Sequence, residues 1–127
     1  MKIALLLCAA FLSAAAVKKC NSYKKGEQGS PLRGKLEIKA ICMNYTIRLL
    51  EGDIDSSLVS ASWTDESTGK TYRNVFALGS RCSFPAEINE GDEFYFIPVP
   101  DDSSECIVCL AYYPTPPRKL SIKVVGK

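Results

Sequence analysis

"GKLEIKAICMNYTIRLLEG", residues 34–52, holds the pattern on which the fold turns. Leu36, Ile38, Ala40 and Cys42 alternate with Lys35, Glu37 and Lys39. A period of two predicts a strand with one face on a core and one in water, because successive side chains leave a strand on opposite sides. After Cys42 the phase inverts. Met43, Tyr45, Ile47 and Leu49 become the apolar set, with Asn44, Thr46 and Arg48 between them. One residue has been added to the count. A β-bulge near Cys42-Met43, or a corner where the chain changes sheets, is the expected cause.

The same period extends along the chain. Val59, Ala61 and Trp63 alternate with Ser60, Ser62 and Thr64, and a polar turn over 65–70 precedes a return strand over 71–78, which makes a hairpin. Residues 93–97 form the next strand. Pro98 and Pro100 lack the N–H that a central ladder needs, so this strand lies at an edge or ends there. Residues 106–113, Cys-Ile-Val-Cys-Leu-Ala-Tyr-Tyr, are apolar without a break, as in a strand covered on both faces. A proline loop over 113–117 follows, and Leu120, Ile122 and Val124 alternate with Lys119, Ser121 and Lys123 in a closing strand. No amphipathic helix is predicted. The expected class is all-β, a small antiparallel sandwich or barrel of about seven strands. The immunoglobulin signature is missing, since no Tyr stands two residues before Cys106 or Cys109.

The N-terminus predicts the compartment. Residues 1–16 run from a basic start through an apolar stretch to Ala14-Ala15-Ala16, the pattern of a secretory signal peptide. The expected organisation is therefore a signal over 1–16, a polar arm over 17–34 and one β-domain over 35–127, secreted and without a transmembrane segment. Cys8 leaves with the signal. Cys20, Cys42, Cys82, Cys106 and Cys109 remain, and in an oxidising compartment they read as a disulfide framework with one cysteine left over.

Cys106 and Cys109 form a Cys-x-x-C. Redox pairs of this spacing open a helix whose dipole lowers the thiol pKa. This pair opens strand-forming sequence instead. Along a strand, residues three apart face opposite ways and stand about 10 Å apart, whereas a disulfide needs Cα atoms within about 7 Å. A zinc site would need further ligands, and there is no second Cys-x-x-C and no histidine. The two cysteines are expected to be ends of separate bridges, with partners among Cys20, Cys42 and Cys82.

The lack of histidine excludes Ser-His and Cys-His nucleophilic pairs and histidine acid–base catalysis. Carboxylates cluster at Asp53 with Asp55, at Glu90 with Asp92 and Glu93, and at Asp101 with Asp102 and Glu105. All lie in turns beside Gly, Asn or Ser, where solvated turn residues are the plain reading, with weak calcium binding or a glycosidase pair as alternatives. Asn44-Tyr45-Thr46 is an N-glycosylation sequon, with Asn44 expected on the wet face. No cofactor or metal is called for.

Charge is uneven along the chain. Residues 17–48 carry eight Lys or Arg against two acids, residues 49–117 three against twelve, and residues 118–127 four against none. This is not the uniformly basic balance of a nucleic-acid binder. If the first and last strands lie side by side, Lys35, Lys39, Arg118, Lys119 and Lys123 would share one basic surface. The other candidate contact surface is the segment holding Tyr112, Tyr113, Pro116, Arg118 and Lys119. A proline-stiffened loop costs little entropy to present, and Tyr and Arg are favoured in binding hot spots.

In general design (a signal peptide, a β-rich body of roughly a hundred residues, few bridges) the chain resembles the small secreted cysteine-rich proteins of fungi, many of them effectors or allergens. The resemblance is one of architecture and carries no motif. It implies a secreted, non-catalytic interaction protein acting on a host or extracellular partner protein. The alternatives are a binding module for an anionic polysaccharide or lipid headgroups and, behind it, a small carboxylate-dependent hydrolase.

Overall fold

The computed structural model describes residues 29–101 and 106–127. The expected signal peptide, most of the expected arm, and Cys20 lie outside the described residues. Seven strands form the fold: β1 (Leu32–Lys39), β2 (Tyr45–Glu51), β3 (Ser60–Thr64), β4 (Thr71–Leu78), β5 (Glu93–Pro98), β6 (Lys119–Leu120) and β7 (Ile122–Gly126). Their order in the sheet is β3-β4-β2-β1-β5-β7, with β6 added beside β4. Every pairing is antiparallel except β4 with β6. The sheet does not close into a complete barrel.

Alternation in β1 is as regular as the sequence pattern, and it begins earlier than Lys35. Leu32, Gly34, Leu36 and Ile38 are buried while Arg33, Lys35, Glu37 and Lys39 are half-exposed. The phase inversion after Cys42 is neither a bulge nor a corner between sheets. The chain reverses there, and β2 returns alongside β1, pairing Leu36 with Ile47 and Lys39 with Tyr45. The ladder does shift register, but between Leu36 and Ile38, ahead of the turn. At the reversal Cys42 and Met43 both take left-handed conformations, with φ of 58° and 56°, and the Asn44 N–H donates to the Ile41 carbonyl at 3.2 Å. Two left-handed central residues make this a tight turn of the kind whose twist suits a hairpin, a role normally filled by Asn-Gly. Side chains there cost about 1–2 kcal/mol each, so the surroundings must hold the turn in place.

Beneath β1, β2, β4 and β5 lies the core. Aromatic rings run through it in contact: Tyr45 meets Phe84 at 5.7 Å between centroids, Phe84 meets Phe94 at 5.6 Å, Phe94 meets Phe96 at 6.0 Å and Phe96 meets Phe76 at 5.8 Å. The pairs of Phe84 are edge-to-face, the arrangement that brings a positive ring edge to a negative ring face. Gly34 allows the packing of Phe96, because a Cβ at that position would stand 2.9 Å from the ring. Phe84 and Ile88 enter from the connection between β4 and β5, which Lys39 fastens by donating from Nζ to the carbonyls of Ala86 (3.0 Å) and Ile88 (2.7 Å).

The final alternating stretch is two strands, not one. Through β6 the chain bonds to β4, with Ala77 N–H donating to the Arg118 carbonyl and Gly79 N–H to the Leu120 carbonyl. It then bends at Ser121 and pairs with β5 through β7. The Ser80 hydroxyl fixes the bend, donating to the Ile122 carbonyl (2.7 Å) and accepting from the Ile122 N–H (2.9 Å). Only glycine fits at 79, where a Cβ would lie 2.5 Å from the Ser121 hydroxyl. Pro98 ends β5, as its missing N–H requires, although β5 itself has a neighbour on each side.

Residues 106–113 correct the sequence reading most. They form no strand. Ile107 and Leu110 are fully exposed, and Tyr112 is 78% exposed. A continuous apolar run predicts burial on both faces only when neighbouring elements are present to cover it, and the sheet places none there.

Candidate functional site

Two disulfides hold that exposed segment against the sheet. Cys109 is bonded to Cys42 with Cα atoms 5.1 Å apart, and Cys106 to Cys82 at 5.5 Å. The two cysteines of the Cys-x-x-C therefore have different partners, as the spacing argument requires, even though the strand premise fails. Cys42 belongs to the β1–β2 turn and Cys82 to the turn at 81–83. The two turns are tied to each other as well, since Arg81 Nη2 donates to Asn44 Oδ1 at 3.3 Å.

Asn44 is the centre of this junction. Its Nδ2 donates to the carbonyls of Ile41 and Ala111, both at 2.9 Å, and the residue is 9% exposed. This overturns the expectation that Asn44 lies on the wet face. Asn44 closes the β1–β2 turn, so its side chain folds back onto the turn and the crossing segment instead of projecting from a strand. Thr46, the third sequon residue, is fully buried.

Beyond Ala111 the segment is held at the β3–β4 turn. The Tyr113 hydroxyl donates to Asp65 Oδ2 at 3.0 Å, Ser67 donates to Asp65 Oδ1 from both N–H and Oγ, and the Ser67 and Tyr113 hydroxyl oxygens lie 2.9 Å apart. Asp65 is 1% exposed. Burial pushes its carboxyl up, but the hydrogen bonds from Ser67, Tyr113 and Thr68 together outweigh that and hold it below the ordinary carboxylate value. Tyr112 donates to Glu66 Oε1 at 3.2 Å while its ring stays in water, and the negative charge of Glu66 raises the phenol above its usual value.

The remaining contact candidates are dispersed. Pro116 is buried. Arg118, Lys119 and Lys123 are exposed, on the approach to β6, on β6 and on β7. The terminal strands are not neighbours: β5 separates β1 from β7, and β2 and β4 separate β1 from β6. The expected five-cation surface is therefore not assembled. Lys35 lies 3.6 Å from Glu37, which also meets Arg48 at 3.5 Å, and Lys39 is engaged with the β4–β5 connection. The two signals that would have placed the strands correctly, the hairpin at Ile41–Met43 and the break at Ser121, lack the glycine or proline that normally marks a turn.

Several turn carboxylates have local partners. Asp55 accepts from the Ser57 N–H, Asp92 from the Asn89 N–H and Lys127, Glu90 from the Lys39 N–H, and Asp101 from the Ser121 hydroxyl. Sequence reasoning missed Ile41. It sits on the β1–β2 turn beside the Cys42 bridge and is 60% exposed. No family model, curated protein or solved structure matches this chain, and no helix among the described residues is long and apolar enough to cross a membrane.

Proposed function

We propose that this protein is a secreted, non-catalytic interaction protein that binds a host or extracellular partner protein through the segment over 106–112. The observation that carries this reading is the exposure of Ile107 and Leu110 on a backbone bridged to two turns of the sheet. Apolar side chains in water stabilise nothing in the free protein, and a contiguous exposed apolar surface is the usual mark of a contact site. The bridges limit the ordering cost on binding, because the segment is already attached at Cys106 and Cys109. Two disulfides in a small β-domain also accord with an oxidising, extracellular setting.

The alternative of an anionic polysaccharide or lipid headgroup needs cations gathered in one place, and no observation favours it over the apolar segment. The test is affinity capture from the fluid into which the protein is secreted, with the wild type and an Ile107→Ser/Leu110→Ser variant. The expected result is a discrete protein retained by the wild type and lost by the folded variant. Capture that is equal for both would count against the reading.

A further inference from the structure

We infer that residues 106–110 pair, antiparallel and about a two-fold axis, with the same residues of a second copy of this chain. The inference rests on reading the segment as a contact surface, and it names one occupant. Among the described residues, no backbone hydrogen bond engages Ile107 to Leu110, so their N–H and C=O groups are left to solvent. The side chains are those of a strand, and strand-forming sequence held without a neighbour is a conflict that a second strand resolves.

The segment also lacks what keeps strands apart. Natural sheet edges carry lysine, proline or very short strands against self-pairing. The edge strand β7 carries Lys123, and β3 is built largely of Ser and Thr. From Cys106 to Tyr113 there is no charge and no proline. A charged segment would repel its own copy across a two-fold axis; this one does not. Centred on Val108, antiparallel pairing sets residue 106 opposite 110 and 107 opposite 109, so one short segment satisfies itself on both chains.

Sedimentation velocity of the non-reduced mature chain, from about 1 to about 500 µM, tests this through the mass-action dependence of a dimer on concentration. The variants are Val108→Pro, which removes a ladder donor, and Leu110→Lys, which supplies the edge lysine that the segment lacks. Near-UV circular dichroism and an intact mass showing both disulfides establish that each is folded. The expected result is a concentration-dependent dimer for the wild type and at least about tenfold weaker association for each folded variant. A wild-type chain that stays monomeric throughout overturns the inference, and so does a dimer unchanged by both substitutions. If the monomer still loses its protein partner through Ile107→Ser/Leu110→Ser, only self-pairing has failed. Binding of the monomer to neutral phosphatidylcholine vesicles through Leu110 would give the segment a different occupant and would also overturn it.

Discussion

Asn44 Nδ2 lies 2.9 Å from the Ala111 carbonyl, so the β1–β2 turn and the exposed segment are joined twice, by this hydrogen bond and by the Cys42–Cys109 disulfide beside it. The side chain holds a turn whose central residues are unfavourable and receives the Arg81 guanidinium. Replacing Asn44 by Ala leaves the Ala111 carbonyl and the Arg81 donor without this partner. An expected loss of about 1–3 kcal/mol, from part-buried hydrogen bonds worth roughly 0.5–1.5 kcal/mol each, is measurable by urea denaturation. The folded chain is expected to carry no glycan at Asn44 when it is made in cells that glycosylate secreted proteins. A glycosylated Asn44 in a chain with both bridges formed, seen by peptide mass mapping, would contradict its buried placement.

The two disulfides are expected to contribute unequally. Cys42–Cys109 spans 67 residues and Cys82–Cys106 spans 24. If the bridges act mainly by restricting the unfolded chain, paired Ser replacements cost about 4 kcal/mol for the first and about 3 kcal/mol for the second. Denaturation of the two double variants side by side gives the order. A larger loss from the shorter loop would mean that the local contacts of Cys82 and Cys106 outweigh loop entropy.

Acid should loosen the clamp at the β3–β4 turn. The Asp65 carboxyl is held below its ordinary value, so at falling pH the unfolded chain takes up a proton before the folded one does. Its contribution is present above the unfolded value and is lost as pH drops through the folded one, which places the change below about pH 4. Asp65→Asn is expected to be less stable near neutral pH and to show a shallower decline on acidification. Tyr113→Phe removes one of the bonds to the carboxylate and should move the acid transition to higher pH, read by tryptophan fluorescence of Trp63. Equal acid slopes for wild type and Asp65→Asn would show that other carboxylates dominate.

The aromatic chain through the core gives the largest expected effect. Phe96 is fully buried between Phe76 and Phe94. Phe96→Ala removes the ring from a site where Gly34 already presses against it, and a cost of about 3–5 kcal/mol is expected from lost transfer energy and the remaining cavity. That is a large share of the roughly 5–15 kcal/mol typical of a domain. Thermal unfolding with near-UV detection measures it.

Period-two alternation made β1 and β5 legible, because each has one face on the core and one in water. The β3–β4 hairpin was legible from its polar turn, since Ser60 is buried and Ala61 exposed in β3, and the last four residues of β4 are all buried. The same rule misread Cys42. An inversion of phase looks alike whether a strand bulges or the chain reverses, and Cys-Met carries no turn signature. Residues 106–113 failed for a different reason. Hydrophobic composition reports what a segment would gain from cover and is silent on whether cover exists. Bridges at Cys106 and Cys109 hold this segment where hydrophobic burial alone would not, so its surroundings could not be inferred from its own residues. The separate partners of the two cysteines came out as expected, although the strand spacing from which they were argued is not formed. Lys39 was read as a solvated cation, yet it binds carbonyls far away in sequence, which no local pattern encodes.

The bend at Ser121 bears on the order in which the molecule can be made. A chain synthesised from its N-terminus offers β1 to β5 first, with the sheet unsupported where β6 and β7 belong and with Leu120 and Ile122 missing from the core. Parallel pairing of β6 with β4 and antiparallel pairing of β7 with β5 come only when the last strands arrive. Acquisition of the native state is thus deferred until β6 and β7 have been made, and such distant pairings are slow to form. Until then the growing chain presents open strand edges, so a chaperone that acts after β5 has been made is the kind of assistance this topology calls for.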